Sequence, residues 1–380
     1  MKLLSFGSNG NFQLGLNHSD DTDCPQRVLF EDDTVSLNGL LSVACGGNHT
    51  VLITNDHSAY FSGDNSCNQC GILLKDGHVL PRFRKLVDVF EPGSAEPVKW
   101  KLAAAGWEYS ILISTDNKIY SAGFGPKGEL GQGSNVQSSD CFKRLNWFPI
   151  QNTSVVEVVA SLSHVVLRLD NGELWGWGVA RKGQVGEPAI SSIWEPRQVL
   201  VNGKPTSLVR AVDCGRMFTV FVDTDNKLQI LGDDRHVKYN RTEIPLDLTL
   251  YQQMKCTWSS VHILDNSGKV LSWGNNSHGQ LAPEVIRLNV SGYNSIPDIQ
   301  LCEISTGTEH VLGLSLDRQV VYAWGWGEHG NCGRIDDSKR VDNDSVNYPN
   351  IVYEATEAQK VIAIFGGYAS SWILIEDELP

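Results

Sequence analysis

The chain has 380 residues, a formal net charge of −13 and an apolar fraction of 41%, enough to bury a large core and too acidic for phosphate binding over its whole surface. No segment approaches 18 consecutive apolar residues, which excludes a transmembrane helix. Strand-like sequence begins directly after Met1-Lys2, leaving no secretory leader, so the nine cysteines are expected as free thiols in the cytoplasm and nucleus.

In chain order, Leu3-Leu4-Ser5-Phe6-Gly7 reads as a strand entering a polar turn, followed by Gln13-Leu14-Gly15. A second phrase, Gly46-Gly47-Asn48-His49-Thr50, leads into Thr50–Ile53, the turn Asn55-Asp56-His57, and a new copy of the first phrase at Ser62-Gly63. The same succession returns through Gly106-Trp107 and Ala122-Gly123, Ser161-Leu162 and Trp177-Gly178, Gly215-Arg216 and Leu231-Gly232, Thr257-Trp258 and Trp273-Gly274, and Gly307-Thr308 and Trp324-Gly325. Gly367-Tyr368 and the strand Trp372–Ile375 come last. Strand segments such as Ser110–Ile113 and Thr219–Val222 are short, β-branched and bounded by Asn/Asp/Gly turns, of which Asp170-Asn171-Gly172 is a good hairpin signal.

Gly7, Gly63, Gly123, Gly178, Gly232, Gly274 and Gly325 lie 42 to 60 residues apart, a period that suits a four-stranded blade better than helical repeats of roughly 33 to 47 residues. The first copy lacks a preceding strand and the last lacks a following one. Pairing the N-terminal strand with the C-terminal strands completes the final blade and removes an open edge. The expected fold is therefore all-β: a seven-bladed β-propeller occupying 1–380 as a single domain.

Several residues that suggest chemistry have plainer roles in the repeat. Cys45, Cys214 and Cys256 share one column with alanines, a packing position. Cys67 and Cys70 have metal-like spacing, but Cys70 and Cys332 stand where other repeats carry Leu14, Leu130, Val185 and Leu281, and no second pair completes a zinc site. Gly123–Gly128 and Gly325–Gly330 both match GxGxxG inside repeat turns, without the helix a dinucleotide site requires. No catalytic residue, metal site or cofactor is expected, and direct nucleic-acid binding is not expected either, although a basic blade edge such as Arg181-Lys182 remains the place for it.

The topology of a blade supplies a candidate site. Its first and third turns emerge on one face, and the residue after the first-turn glycine is free to vary. That position holds Gly47, Trp107, Leu162, Arg216, Trp258, Thr308 with Glu309 beside it, and Tyr368. The third turns add Asp64, Lys127, His278, Trp326, Glu328 and His329. Exposed Trp, Tyr and Arg together form the composition of a protein-binding hot spot. The competing reading is that Trp107, Trp258 and Trp326 pack between neighbouring turns. The insertions 17–39 and 134–153 are expected after fourth strands, hanging from the opposite face.

Cys45 through Leu52, Gly178 through Gly186 and Trp324 through Gly333 resemble repeats of the regulator-of-chromosome-condensation family along the whole chain. Within that family Phe6–Leu16, Ala44–His49 and Trp324–Gly333 are similar to the alpha-tubulin-suppressor, or killer-toxin-insensitivity, group. The resemblance implies an accessory factor that forms a heterodimer with the small CSL-type zinc-finger protein of diphthamide synthesis. The pair would support diphthamide formation on elongation factor two through its synthase, and Elongator-dependent modification of tRNA wobble uridines, by electron delivery from the partner's metal. This chain would hold no metal itself, and the aromatic ring above would be its docking surface. The alternative is a guanine-nucleotide exchange factor for a Ran-like small GTPase, although the founding member's chromatin function fits poorly with a chain lacking a basic N-terminal tail.

Overall fold

The computed structural model describes residues 1–134, 136–145, 152–239, 247–282, 293–296, 299–335 and 344–377. The chain divides into two compact units, one comprising Met1–Gly10, Asp20–Val28 and Asp234–Pro380, the other Asn11–Ser19 and Leu29–Asp233. Strands β1 (Lys2–Gly7) and β2 (Thr22–Arg27) belong to the first unit and are completed by the last strands of the chain.

The second unit contains four sheets of consecutive antiparallel strands. They are β3 (Ser42–Cys45), β4 (His49–Ile53), β5 (Ala59–Asp64) and β6 (Val79–Lys85); β7 (Trp100–Ala105), β8 (Tyr109–Ser114), β9 (Ile119–Phe124) and β10 (Ser138–Arg144). There follow β11 (Val155–Ala160), β12 (His164–Leu169), β13 (Leu174–Val179) and β14 (Ser192–Gln198). After the short ribbon β15 (Leu200–Val201) and β16 (Lys204–Pro205) comes a three-stranded sheet of β17 (Val209–Cys214), β18 (Phe218–Asp223) and β19 (Leu228–Gly232).

The first unit adds β20 (Tyr251–Cys256), β21 (Ser260–Asp265), β22 (Val270–Gly274) and β23 (Tyr293–Ser295), then β24 (Leu301–Thr306), β25 (His310–Ser315), β26 (Val320–Trp326) and β27 (Ser345–Glu354). Its remaining sheet joins both ends of the chain in the order β2-β1-β29-β28, with β28 (Gln359–Gly366) and β29 (Ser370–Asp377). Leu3 faces Leu374 and Ser5 faces Trp372 across that closure, as the split repeat requires. Among the described residues, seven sheets of three or four strands thus follow the seven repeats, the β15–β16 ribbon standing apart.

Burial grades across each sheet. The second strands β4, β8 and β25 are buried at every residue, because adjacent sheets cover both faces, so they read as continuous apolar runs rather than alternating ones. The fourth strands are partly exposed, and Pro25, Pro81, Pro196 and Pro349 all fall in them, where a missing N–H costs no internal ladder bond. Two expectations need correction here. Segment 17–39 contains β2 and segment 134–153 contains β10, so each includes the fourth strand instead of following it; 135 and 146–151 lie outside the described residues.

The seven glycines of the first phrase share one geometry. Each has φ between 98° and 123°, and a Cβ there would lie 2.3 to 2.6 Å from the carbonyl oxygen preceding the second strand of the same sheet. That carbonyl, from Ala369, Asn48, Glu108, Ser163, Met217, Ser259 or Glu309, accepts a hydrogen bond of 2.8 to 2.9 Å from the amide after the glycine. Only glycine meets both demands.

Neighbouring sheets are joined by a buried polar ladder. In the second unit Thr50 Oγ1 and Ser62 Oγ donate to the Gln13 carbonyl, Trp177 Nε1 to the Glu129 carbonyl and Thr219 Oγ1 to the Gln184 carbonyl. In the first, Trp324 Nε1 donates to Gln280 and Ser371 Oγ to Asn331. The Gln13, Gln69, Gln184 and Gln280 side chains meanwhile accept from the amide two residues earlier, which fixes the turn carrying the accepting carbonyl. His49, His164 and His310 pair through Nε2 with Ser110, Thr219 and Ser371 on the next sheet. Cys70 and Cys332 are fully buried in apolar clusters, matching the leucine column.

Gly325→Ala is expected to destabilise by at least about 2 kcal/mol, from left-handed strain plus collision with backbone; equilibrium denaturation measures it, and a loss below half that value would contradict the geometry. Burial holds His49, His164 and His310 at about 4, against 6.5 for an unburied ring. Unfolded chains therefore take up protons first, so the contribution of the neutral rings is whole above pH 6.5 and is lost as pH falls toward 4, up to about 3 kcal/mol for each ring. Urea midpoints should fall between pH 7 and 5, with a shallower slope in His164→Gln; a slope identical to the parent's would contradict the assignment.

Candidate functional site

In each repeat, the amide after the positive-φ glycine of the first phrase (the bulge glycine) is bonded to the carbonyl before the second strand, which ties the third turn to the first at the same edge of the sheet. The two classes of variable residue therefore share one end of each blade. Adjacent first turns are also linked directly. In the first unit Trp258 N–H donates to the Thr308 carbonyl at 2.6 Å and Thr308 N–H to the Tyr368 carbonyl at 3.2 Å. In the second, Gly47 N–H meets the Gly106 and Trp107 carbonyls and Trp107 N–H the Leu162 carbonyl.

The first unit gathers Trp258, Glu309, Tyr368, His278, Trp326, Glu328 and His329. Trp258 and Tyr368 meet edge to face, centroids 5.5 Å apart, a favourable aromatic arrangement, and both are half-buried. Trp326 lies between two imidazoles: His278 at 6.4 Å and His329, edge to face, at 5.4 Å. His329 Nδ1 is 2.8 Å from Asp21 Oδ2, and Asn9 N–H donates to the other oxygen of Asp21. Glu328 is exposed beside them.

Glu309 sits deeper. Its Oε2 accepts from Ser259 Oγ at 2.6 Å, Gln280 Nε2 at 2.9 Å and, more weakly, Thr257 Oγ1 at 3.5 Å. Burial pushes this carboxyl above the usual range, opposed by those hydrogen bonds and the nearby His278. Glu309 thus braces two repeats with at least one of its oxygens, a role its place in the repeat did not disclose. Asp21 was missed as well, being 308 residues from His329 and outside both phrases.

In the second unit Trp107 is 44% exposed, its ring lying over Gly47, where an added Cβ would come within 3.1 Å of it. Arg216 is exposed on the turn after β17. The two readings of these aromatics are therefore compatible: Trp107, Trp258 and Trp326 pack against neighbouring turns and still present surface. The GxGxxG segments end strands β9 and β26 and continue into turns. Of the strongly shifted histidines, His49, His164 and His310 belong to the buried ladder and His262 is buried against Ser260 and Ser272 of its own sheet; among the described residues no three His, Cys, Asp or Glu side chains converge as metal ligands.

A family model described as the RCC1-like domain matches residues 2–373, and the chain belongs to that family. It is 29% identical over 99% of both chains to an RCC1 repeat-containing protein of Schizosaccharomyces pombe. It is 26% identical to the secretion-regulating guanine nucleotide exchange factor of Mus musculus, over 87% of this chain and 75% of that one. The solved structure of Prp20p from Saccharomyces cerevisiae superposes with a TM-score of 0.82 at 17% identity, covering 100% of this chain and 92% of the other. The fold is the all-β, seven-bladed propeller of this family.

Proposed function

We propose that this chain is a non-catalytic protein-binding module that docks a small CSL-type zinc-finger protein of diphthamide synthesis, supporting diphthamide formation and Elongator-dependent tRNA modification in the cytoplasm and nucleus. The observation that carries the binding role is the half-exposed pair Trp258–Tyr368 beside Trp326 and its two histidines. Aromatic rings held by packing and backbone bonds lose little conformational freedom on association, so they yield more binding energy per contact than mobile side chains. The partner's identity rests on the resemblance of Phe6–Leu16, Ala44–His49 and Trp324–Gly333. Glu309 acts in this reading as a brace for the surface, with Glu328, His278 and His329 as its polar rim.

A second reading, guanine-nucleotide exchange on a Ran-like GTPase, is favoured by the similarity to the murine exchange factor and to Prp20p, which binds Gsp1p. It would use the same variable turns without requiring an acid, a base or a cofactor from this chain.

Trp258→Ala and Tyr368→Ala should each weaken a one-to-one complex with the zinc-finger protein at least about tenfold with the unfolding midpoint nearly unchanged. Calorimetric titration measures this, and unchanged affinity in both variants would remove the site. Nucleotide release from a Ran-like GTPase is expected to be unaffected by substoichiometric chain; multiple-turnover acceleration would establish the exchange reading instead.

A further inference from the structure

The second unit carries four cations on adjacent turns at the variable end of its sheets: Lys127 after β9, Arg181 and Lys182 after β13, and Arg216 after β17, all exposed. Their adjacency follows from contacts between the turns. A Cβ on Gly128 would lie 2.4 Å from the Ile193 carbonyl in β14, and β14 pairs with β13 at Val179↔Ser192, where Val179 precedes Ala180 and Arg181. Gln184, ending the Arg181–Lys182 turn, reaches Met217 beside Arg216. Ser161 Oγ donates to the Gly215 carbonyl at 2.7 Å, bringing the Leu162 turn, and through it Trp107, against the Arg216 turn.

Three acids of this sector lie lower than the cations, while Glu195 of β14 and Asp234, next in sequence to Asp233, are exposed. Glu129 is buried, with Oε2 accepting from the Lys127 amide, and the Lys127 charge partly offsets the burial that raises its carboxyl. Asp233 is 12% exposed at the side chain and 3.6 Å from Lys182 Nζ, whose side chain is 45% exposed. Glu108 is half-buried next to Trp107. A chain of net charge −13 therefore presents an outward positive sector with an exposed indole at its side.

We propose that Lys127, Arg181, Lys182 and Arg216 form a docking surface for an acidic segment of a partner polypeptide. Two arginines suit planar bidentate capture of carboxylates, and Trp107 offers apolar surface for the intervening side chains. A polypeptide fits better than a nucleic acid. Four cations neutralise at most a few phosphates, while the remaining negative charge of the chain repels a long polyanion. This surface lies within the second unit, whereas Trp258 and Tyr368 belong to the first.

The test is fluorescence anisotropy with a labelled glutamate-rich dodecapeptide and the full chain. Binding should weaken at least about fivefold between roughly 50 and 200 mM salt. It should weaken at least about tenfold in the triple variant Arg181→Ala/Lys182→Ala/Arg216→Ala at an unchanged unfolding midpoint, and stay unaltered in Trp258→Ala. The proposal is overturned if the peptide does not bind, if the triple variant binds it equally well, or if an oligouridylate of equal length binds more tightly through the same residues. Loss of zinc-finger binding in Trp258→Ala with peptide binding retained separates this surface from the one proposed above.

Discussion

Each repeat turns on one carbonyl, the one that precedes the second strand. It accepts the amide that follows the bulge glycine, and it lies so close to where that glycine's Cβ would be that no side chain fits there. The bond fixes the third turn beside the first, so variable side chains from two separated sequence positions emerge at the same end of the sheet. Repeating the bond in every blade turns sequence variation into surface variation while the strands beneath keep their register. A binding surface can diversify on this scaffold at little cost to folding, the general advantage of loops carried by a rigid frame.

The ladder between blades works differently. Indole, hydroxyl and imidazole groups donate to or pair with groups of the adjacent blade at full burial, where an unmade hydrogen bond costs more than a made one contributes. These contacts therefore act chiefly as selectors of spacing and register. Apolar columns such as Leu14, Leu130 and Leu281 supply the bulk of the burial. The ladder tolerates substitution in kind: Ser62 stands where Trp177 and Trp324 stand, and each sends its donor to the corresponding carbonyl.

Much of this was legible. The bulge glycines recur because no other residue fits, and the leucine column because it is buried from both sides, so both left a periodic mark. The joining of β1 to β29 could be read from the split repeat. What could not be read is whatever lacks a mark within one repeat. His49, His164 and His310 look like turn residues until their partners appear one repeat later. Asp21 and His329 meet only through closure. Strands β2, Thr-Asp-Cys-Pro-Gln-Arg, and β10, Ser-Ser-Asp-Cys-Phe-Lys-Arg, pass for loops because an outermost strand is largely exposed and carries weak hydrophobic alternation. Glu309 was legible as a variable position but not as a brace, since Ser259 and Gln280 come from another repeat.

The shared carbonyl bond can be examined by native-state hydrogen exchange at the amides of Ser8, Asp64, Phe124, Val179, Asp233, Asn275 and Trp326. If the bond holds every repeat together, these seven amides exchange as slowly as those of the buried second strands, Ser8 included, although each lies at the mouth of a turn. Exchange at the rate of the exposed turns, with protection confined to strand interiors, would contradict the account.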